Sequence, residues 1–173
     1  MERLFKYAFA FVISFSLVGC AGTVKRSATD TPYKYAGQKV KAVTLSLTPE
    51  ATKTLADNIK FEPSRLQNIL QRQLSARSLI DEKSDHVLDV KVSDIRVRST
   101  FSAVMFGLMA GDDHINGTVS LLNAANTPLH SFDVSASYAF GGWAGMDDTR
   151  MSWLYEKFSE LSVKELIGEQ TTN

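Results

Sequence analysis

The chain has 173 residues, with 19 basic and 19 acidic side chains, a single cysteine and 44% apolar residues. So even a balance provides no basic face for nucleic acid, and one cysteine permits no intramolecular disulfide. The length suits one domain with a real core, whose stability must come from packing.

In chain order, Arg3 and Lys6 precede an almost uncharged apolar run over residues 7–18. A positive start that stays on the cytoplasmic side, followed by a short apolar core, is the physics of an export signal. About a dozen apolar residues fall well short of the roughly 20 that cross a bilayer comfortably as a helix. Leu17-Val18-Gly19-Cys20, with small Ala21 and Gly22 behind it, resembles the lipobox of bacterial lipoproteins. That resemblance implies a lipoprotein signal peptide over residues 1–19, cleaved before Cys20. It also implies a diacylglycerol on the Cys20 thiol and usually a third acyl chain, such as palmitate, on the new amino group. Each buried methylene contributes about 0.8 kcal/mol, so two or three chains anchor essentially permanently where one holds only marginally. By the same resemblance, alanine rather than aspartate at position 21 implies an outer-membrane location with the body facing the periplasm. Loss of residues 1–19 removes Arg3, Lys6 and Glu2, leaving 17 basic residues against 18 acidic ones.

Residues 20–37 are polar and short-sided, without an apolar period, and read as the acylated N-terminus and a flexible tether. A coil of about 15 residues reaches roughly 20 Å. A single domain then spans residues 38–168, with a tail over 169–173. Over residues 40–47, Val43, Leu45 and Leu47 alternate with Thr44, Ser46 and Thr48, the pattern of a strand with one buried face. Ser64-Arg65-Leu66-Gln67 has capping-box form, and Leu66, Ile69, Leu70 and Leu74 then share one helical face.

Residues 87–97 form a second strand whose apolar parity changes between Val92 and Ile95, which predicts a bulge near Ser93-Asp94. A third strand follows over 114–122, with Ile115, Gly117, Val119 and Leu121 inward. A turn at 123–126 leads to a fourth over 129–140, with Phe132, Val134, Ala136, Tyr138 and Phe140 on one side. The last helix starts near Asp147-Asp148, whose charge suits the helix dipole. It carries Met151, Leu154, Tyr155, Phe158 and Leu161 as its stripe and ends at Gly168. The expected architecture is a two-layer α+β domain in the order β-α-β-β-β-α, an antiparallel four-stranded sheet with both helices on one face.

Together these segments resemble a family of bacterial lipoproteins described only as domain of unknown function 4410. The resemblance rests on the lipobox, the helix ending in Leu74, the strand Val87-Leu88-Asp89-Val90-Lys91-Val92, and Phe106-Gly107-Leu108-Met109-Ala110-Gly111 leading into Gly117-Thr118-Val119. It implies fold and location, and no chemistry.

Residues 101–111 are the strongest candidate site. They are apolar and punctuated by glycine, and they join two strands that a short polar turn would connect. Phe101, Met105, Phe106, Leu108 and Met109 could form an exposed surface that dips into the membrane or docks on a partner, or the segment could fold back over its own core. Trp143, in the glycine-rich stretch 141–145, could be an interfacial anchor, a hot spot for a partner, or a plug for the open end of the core. Trp153 falls on the polar side of the last helix and reads as an exposed aromatic. Asp112-Asp113-His114 contains ligand types, but successive strand side chains point to opposite faces, so distant ligands such as His86, His130, Asp147 or Asp148 would be needed for a metal. No local pattern activates a nucleophile or cradles a phosphate.

The expected function is a membrane-anchored lipoprotein acting as a non-enzymatic binding or assembly module in the bacterial cell envelope. The alternative is an accessory protein that binds or transports lipid or another hydrophobic ligand. No metal or cofactor is expected. The expected partners are the membrane, through the acyl chains on Cys20, and an envelope protein or a second copy of the chain.

Overall fold

A computed structural model describes residues 20–26, 33–57, 60–140 and 146–169. Five strands form one sheet: β1 (Cys20–Arg26), β2 (Ala42–Leu47), β3 (Val87–Arg96), β4 (Asp113–Leu122) and β5 (Pro128–Tyr138). The described α-helices are α1 (Pro49–Asp57), α2 (Pro63–Ala76), α3 (Thr100–Phe106) and α4 (Asp147–Leu166). Across the sheet the strands run β1-β5-β4-β3-β2. The lipobox residues 17–19 and the stretch 141–145 with Trp143 lie outside the described residues, as does the tail beyond Glu169.

The meander expected from the alternating residues is present in β3, β4 and β5. Leu88, Val90, Val92 and Ile95 lie opposite Leu121, Val119, Gly117 and Ile115. The same buried rows continue into His130, Phe132, Val134 and Ala136 of β5. The register slips between Val92 and Asp94, so the bulge keeps both apolar parities of β3 on the inner face. At the β4–β5 turn, Asn123 Oδ1 accepts the N–H groups of Ala125 and Thr127 at 3.0 Å each, and Asn126 takes φ 56°, a left-handed value that asparagine tolerates. The outer face is polar and laced by side-chain hydrogen bonds: Thr44 to Asp89 at 2.6 Å, Thr118 to Asp133 at 2.7 Å, and Ser120 with Ser131 at 2.8 Å.

An antiparallel sheet of four strands with two helices is corrected on three counts. First, β2 pairs with β3 in parallel, Val43 beside Leu88 and Leu47 beside Val92. The intervening chain carries α1 and α2, and a helical crossover returns the strand in the same direction. Second, α1 and α3 add two helices to the expected pair; α1 fills the segment expected as a mixed connection, with Ala51 buried and Leu55 packed against the core. Third, Cys20–Arg26, expected to lie in the tether, forms an edge strand antiparallel to β5.

Alternation of hydropathy could not announce β1, because Val24 is its one large apolar side chain against the core, and backbone pairing and two contacts with α4 hold the rest. Gly22 lies so close to that helix that a β-carbon would sit 2.5 Å from Leu161 Cδ1. Arg26 is hydrogen-bonded to Glu165 of α4 through Nη2 at 2.8 Å, and Glu165 also meets His130 Nε2 at 3.1 Å.

α2 and α4 pack on each other and cover the inner face, α2 over β2 and α4 over β5, β4 and β1. The expected capping box is replaced. α2 begins at Pro63, whose fixed φ and missing N–H suit the first turn, and Glu62 makes no side-chain cap. Gln67 instead donates from Nε2 to the Val43 carbonyl at 2.8 Å, tying α2 to β2. The Glu62 N–H is satisfied by the Tyr155 hydroxyl at 2.7 Å.

Burial pushes the Tyr155 hydroxyl up to about 12, with the Glu62 charge assisting, against the opposing effects of the Glu62 N–H bond and Arg65. An unfolded tyrosine titrates near pH 10. The folded value is raised, so this contribution to stability is complete below about pH 10 and is lost as pH rises through about 12. Tyr155→Phe should lower stability by about 1 kcal/mol at neutral pH and weaken the alkaline decline. Denaturant titrations at neutral and alkaline pH check both.

Candidate functional site

β3 ends, and β4 begins, at the end of the sheet where β5 stops and β1 starts: Cys20 pairs with Tyr138, and Tyr138 with Asp113. The chain between β3 and β4 projects from this end. Ser99 caps α3, its Oγ accepting the Ser102 N–H at 3.1 Å. Ala103 faces inward and is fully buried. A 3-10 turn over Gly107–Ala110 then leads to Gly111. Gly111 holds φ +83°, where a side chain would also meet Arg96 Nη1 at 2.6 Å, so the return into β4 requires glycine.

Beneath this segment lies a buried ionic hub. Asp113 is fully buried between Arg98 and Arg150. Its carboxylate accepts the Arg98 backbone N–H at 2.5 Å, Arg98 Nη2 at 2.9 Å, and Arg150 Nη1 on both oxygens at 2.7 Å. Arg98 Nη1 donates to the Gly107 carbonyl at 2.5 Å and to that of Gly111 at 2.7 Å, and Nη2 reaches the Tyr138 carbonyl at 3.2 Å. Arg150 also bonds the Arg98 carbonyl at 3.2 Å and the Asp147 carboxylate. One arginine therefore gathers both ends of the 3-10 turn, and the other fastens the start of α4 to the same carboxylate. Arginine suits this work because its donors are fixed in a planar fork and it stays charged when buried.

Lys60 and Thr100 complete the outer side, meeting Asp147 Oδ2 at 2.8 Å each. Burial opposes ionisation of Asp147, but hydrogen bonds from Lys60, Thr100 and Arg150, with the Lys60 charge, outweigh it and hold the carboxyl below its ordinary value.

The hub supports an apolar knob. Phe101 is 68% exposed, Met105 64%, Phe106 53% and Met109 91%. Phe101 and Phe106 meet edge to face at 6.0 Å, so the knob is internally packed while open to its surroundings. Phe140, just past β5, and Met146, just before α4, are exposed at this same end.

Residues 29–142, well over half of the chain, match the family described as Domain of unknown function (DUF4410). The chain belongs to that family. The DUF4410 match takes in α3, the knob, Arg98 and Asp113, while β1 and Arg150 lie beyond its limits. No curated protein matches the sequence. Among solved structures, a point variant of the PelC dodecamer from Paraburkholderia phytofirmans is similar at 18% identity and TM-score 0.43, over 82% of this chain and 98% of that one. A second PelC dodecamer from the same organism gives 16% and 0.42, over 79% and 96%. A candidate lipoprotein from Caulobacter crescentus CB15 gives 14% and 0.37, over 75% and 93%.

Of the site residues expected from the DUF4410 sequence, the structure brings Phe101, Met105, Phe106 and Met109 together in the knob; the Leu108 side chain lies outside the described ones. Cys20 stands at the same end of the sheet. Trp153 is corrected: it is half-buried against the core, its ring 5.4 Å from that of Tyr138, and is not an exposed aromatic. Phe140 is likewise corrected from an inward strand position, because β5 ends two residues earlier.

Asp112-Asp113-His114 separates as pleating demands. Asp113 turns inward to the hub, while His114 Nε2 meets Asp94 at 2.9 Å on the outer face. Among the described residues no group of three or more histidine, cysteine or acidic side chains could hold a metal, and no helix is long and apolar enough to cross a membrane.

Sequence reasoning missed the hub. Its one legible signal is the parity of Asp113, an acidic residue in register with inward Ile115 and Val119. A buried carboxylate in that row demands a cationic partner.

Proposed function

We propose that the protein is a lipoprotein of the bacterial cell envelope, held to a membrane by acyl chains on Cys20, and that it works as a non-enzymatic binding or assembly module. By the lipobox resemblance, alanine after the cysteine favours the outer membrane, with the domain facing the periplasm. The observation that carries the reading is the knob: four large apolar side chains stand in the open on a segment fastened by buried arginines. An apolar patch without a partner costs solubility, and proteins that keep one use it for contact. The hub supplies what a contact surface needs, which is a fixed shape before its partner arrives.

Replacing Phe106 and Met109 together with serine tests whether the knob is open for contact or part of the core. Substitutions at exposed sites away from structural features change stability by no more than about 0.5 kcal/mol each, and that is the expected result in urea unfolding. A combined loss above about 3 kcal/mol, the scale of a core truncation, would assign the knob to the core and end the contact reading. The anchor has its own test. Mass analysis of the peptide beginning at Cys20 should find diacylglycerol and acyl mass, and Cys20→Ser should release the chain from the membrane fraction.

A further inference from the structure

The occupant of the knob follows from where Cys20 stands. Among the described residues seven large apolar side chains are exposed, and six of them sit at one end of the sheet: Phe101, Met105, Phe106, Met109, Phe140 and Met146. Leu129, beside the β4–β5 turn, is the exception at the far end. β1 starts at Cys20 itself, and its register sets Cys20 beside Tyr138 and Tyr138 beside Asp113. Neighbouring strands lie about 4.8 Å apart, so the knob leaves the sheet roughly 10 Å from the Cys20 backbone.

We propose that the knob enters the phospholipid leaflet that holds the acyl chains of Cys20, so that the sheet stands on its apolar end against the membrane. The inference rests on the lipoprotein reading above and names the knob's partner as the bilayer. With β1 paired from its first residue, no slack separates the acylated position from the domain. The sheet end is therefore held at the headgroups, within the roughly 5–10 Å over which interfacial apolar groups bury.

Apart from Asp148, exposed in the first turn of α4, the charges around the knob are paired. Asp113, Arg98 and Arg150 are buried and mutually paired beneath the knob. Lys60 is paired with Asp147, and Arg96 with Asp112 at 3.6 Å. Phenylalanine and methionine are large and adaptable enough to pack among acyl chains. The knob adds orientation to an anchor that the acyl chains already provide. It places the β4–β5 turn, at the opposite end of the sheet, away from the lipid.

The test uses the full acylated chain, purified from membranes and reconstituted into vesicles of phosphatidylethanolamine with a minority of phosphatidylglycerol. Cys20 is the sole cysteine, and acylation blocks its thiol, so Met109→Cys offers one site for an environment-sensitive fluorophore. Ala125→Cys, exposed in the β4–β5 turn, is the matched site at the far end. Both positions are exposed, and unchanged thermal unfolding verifies each fold.

The expected result is a blue-shifted probe at position 109. Lipids spin-labelled near the headgroup should quench it several-fold more than the probe at 125, and aqueous iodide several-fold less. Equal iodide quenching at both positions, on a chain whose Cys20 peptide carries acyl groups, overturns the membrane contact and leaves the lipoprotein reading intact. Shielding at 109 that ignores spin-labelled lipid and fades as protein is diluted in the vesicle also overturns it, in favour of a second copy. A Cys20 peptide without acyl groups removes both readings.

Discussion

Asp113→Ala should lower the free energy of unfolding by about 3–5 kcal/mol, the scale of breaking a buried ion pair by removing one partner. The aspartate is fully buried and accepts from Arg98 and Arg150, so the substitution leaves the Arg98 guanidinium without a carboxylate and Arg150 with Asp147 alone. Most of the loss comes from the buried Arg98 charge left without a carboxylate, since an intact buried pair is worth little more than apolar packing of the same volume. A triple replacement, Asp113→Leu with Arg98→Met and Arg150→Met, should therefore recover much of what the single change loses. Urea unfolding of the three proteins measures this. A loss under about 1 kcal/mol for Asp113→Ala, the size of a surface pair, would mean that the hub does not hold this end of the sheet. Native-state hydrogen exchange supplies a local readout. Arg98 holds the Gly107 and Gly111 carbonyls, so amides over residues 100–111 should exchange faster once Asp113 no longer fixes that guanidinium.

Phe158→Ala should cost about 3–5 kcal/mol for a different reason, a cavity that the surrounding structure only partly closes. Phe158 is fully buried in the stripe of α4 with Leu154, Tyr155 and Leu161. This helix packs on α2 and spans β5, β4 and β1, so a void beneath it loosens both layers. The denaturation midpoint should fall while the slope stays the same, because the surface exposed on unfolding hardly changes. Phe101→Ala is the matched comparison, since it removes the same atoms from an exposed position. It should move stability by no more than about 0.5 kcal/mol. A comparable loss at both positions would mean that Phe101 is packed in the folded protein and would remove it from the contact surface.

Much of the inner face was legible because burial writes a period into the sequence. The alternation in β3, β4 and β5 and the stripes of α2 and α4 each satisfy one buried side, and even the bulge after Val92 shows as a change of parity. β1 was not legible. An edge strand paired through its backbone needs no apolar alternation, and the glycine that brings it under α4 looks like any tether residue. The parallel pairing of β2 and β3 was hidden because side-chain alternation is the same in either direction. The candidate site divides the same way. The apolar run at 101–111 is a misfit between two strands, yet its exposure depends on whether the domain covers it. Trp153 shows the converse, placed on a polar helical face by periodicity and drawn to Tyr138 by packing.

The lipobox resemblance at Cys20, the family, and the faces that β3, β4, β5, α2 and α4 bury are all written in residue type and local spacing. Only the tertiary structure decided the strand order, the parallel edge, the hub of Arg98, Asp113 and Arg150, and the meeting of Cys20 with the exposed knob at one end of the sheet. Those features join residues distant in the chain, and their energies depend on which groups meet and how far water is excluded, which no local pattern encodes.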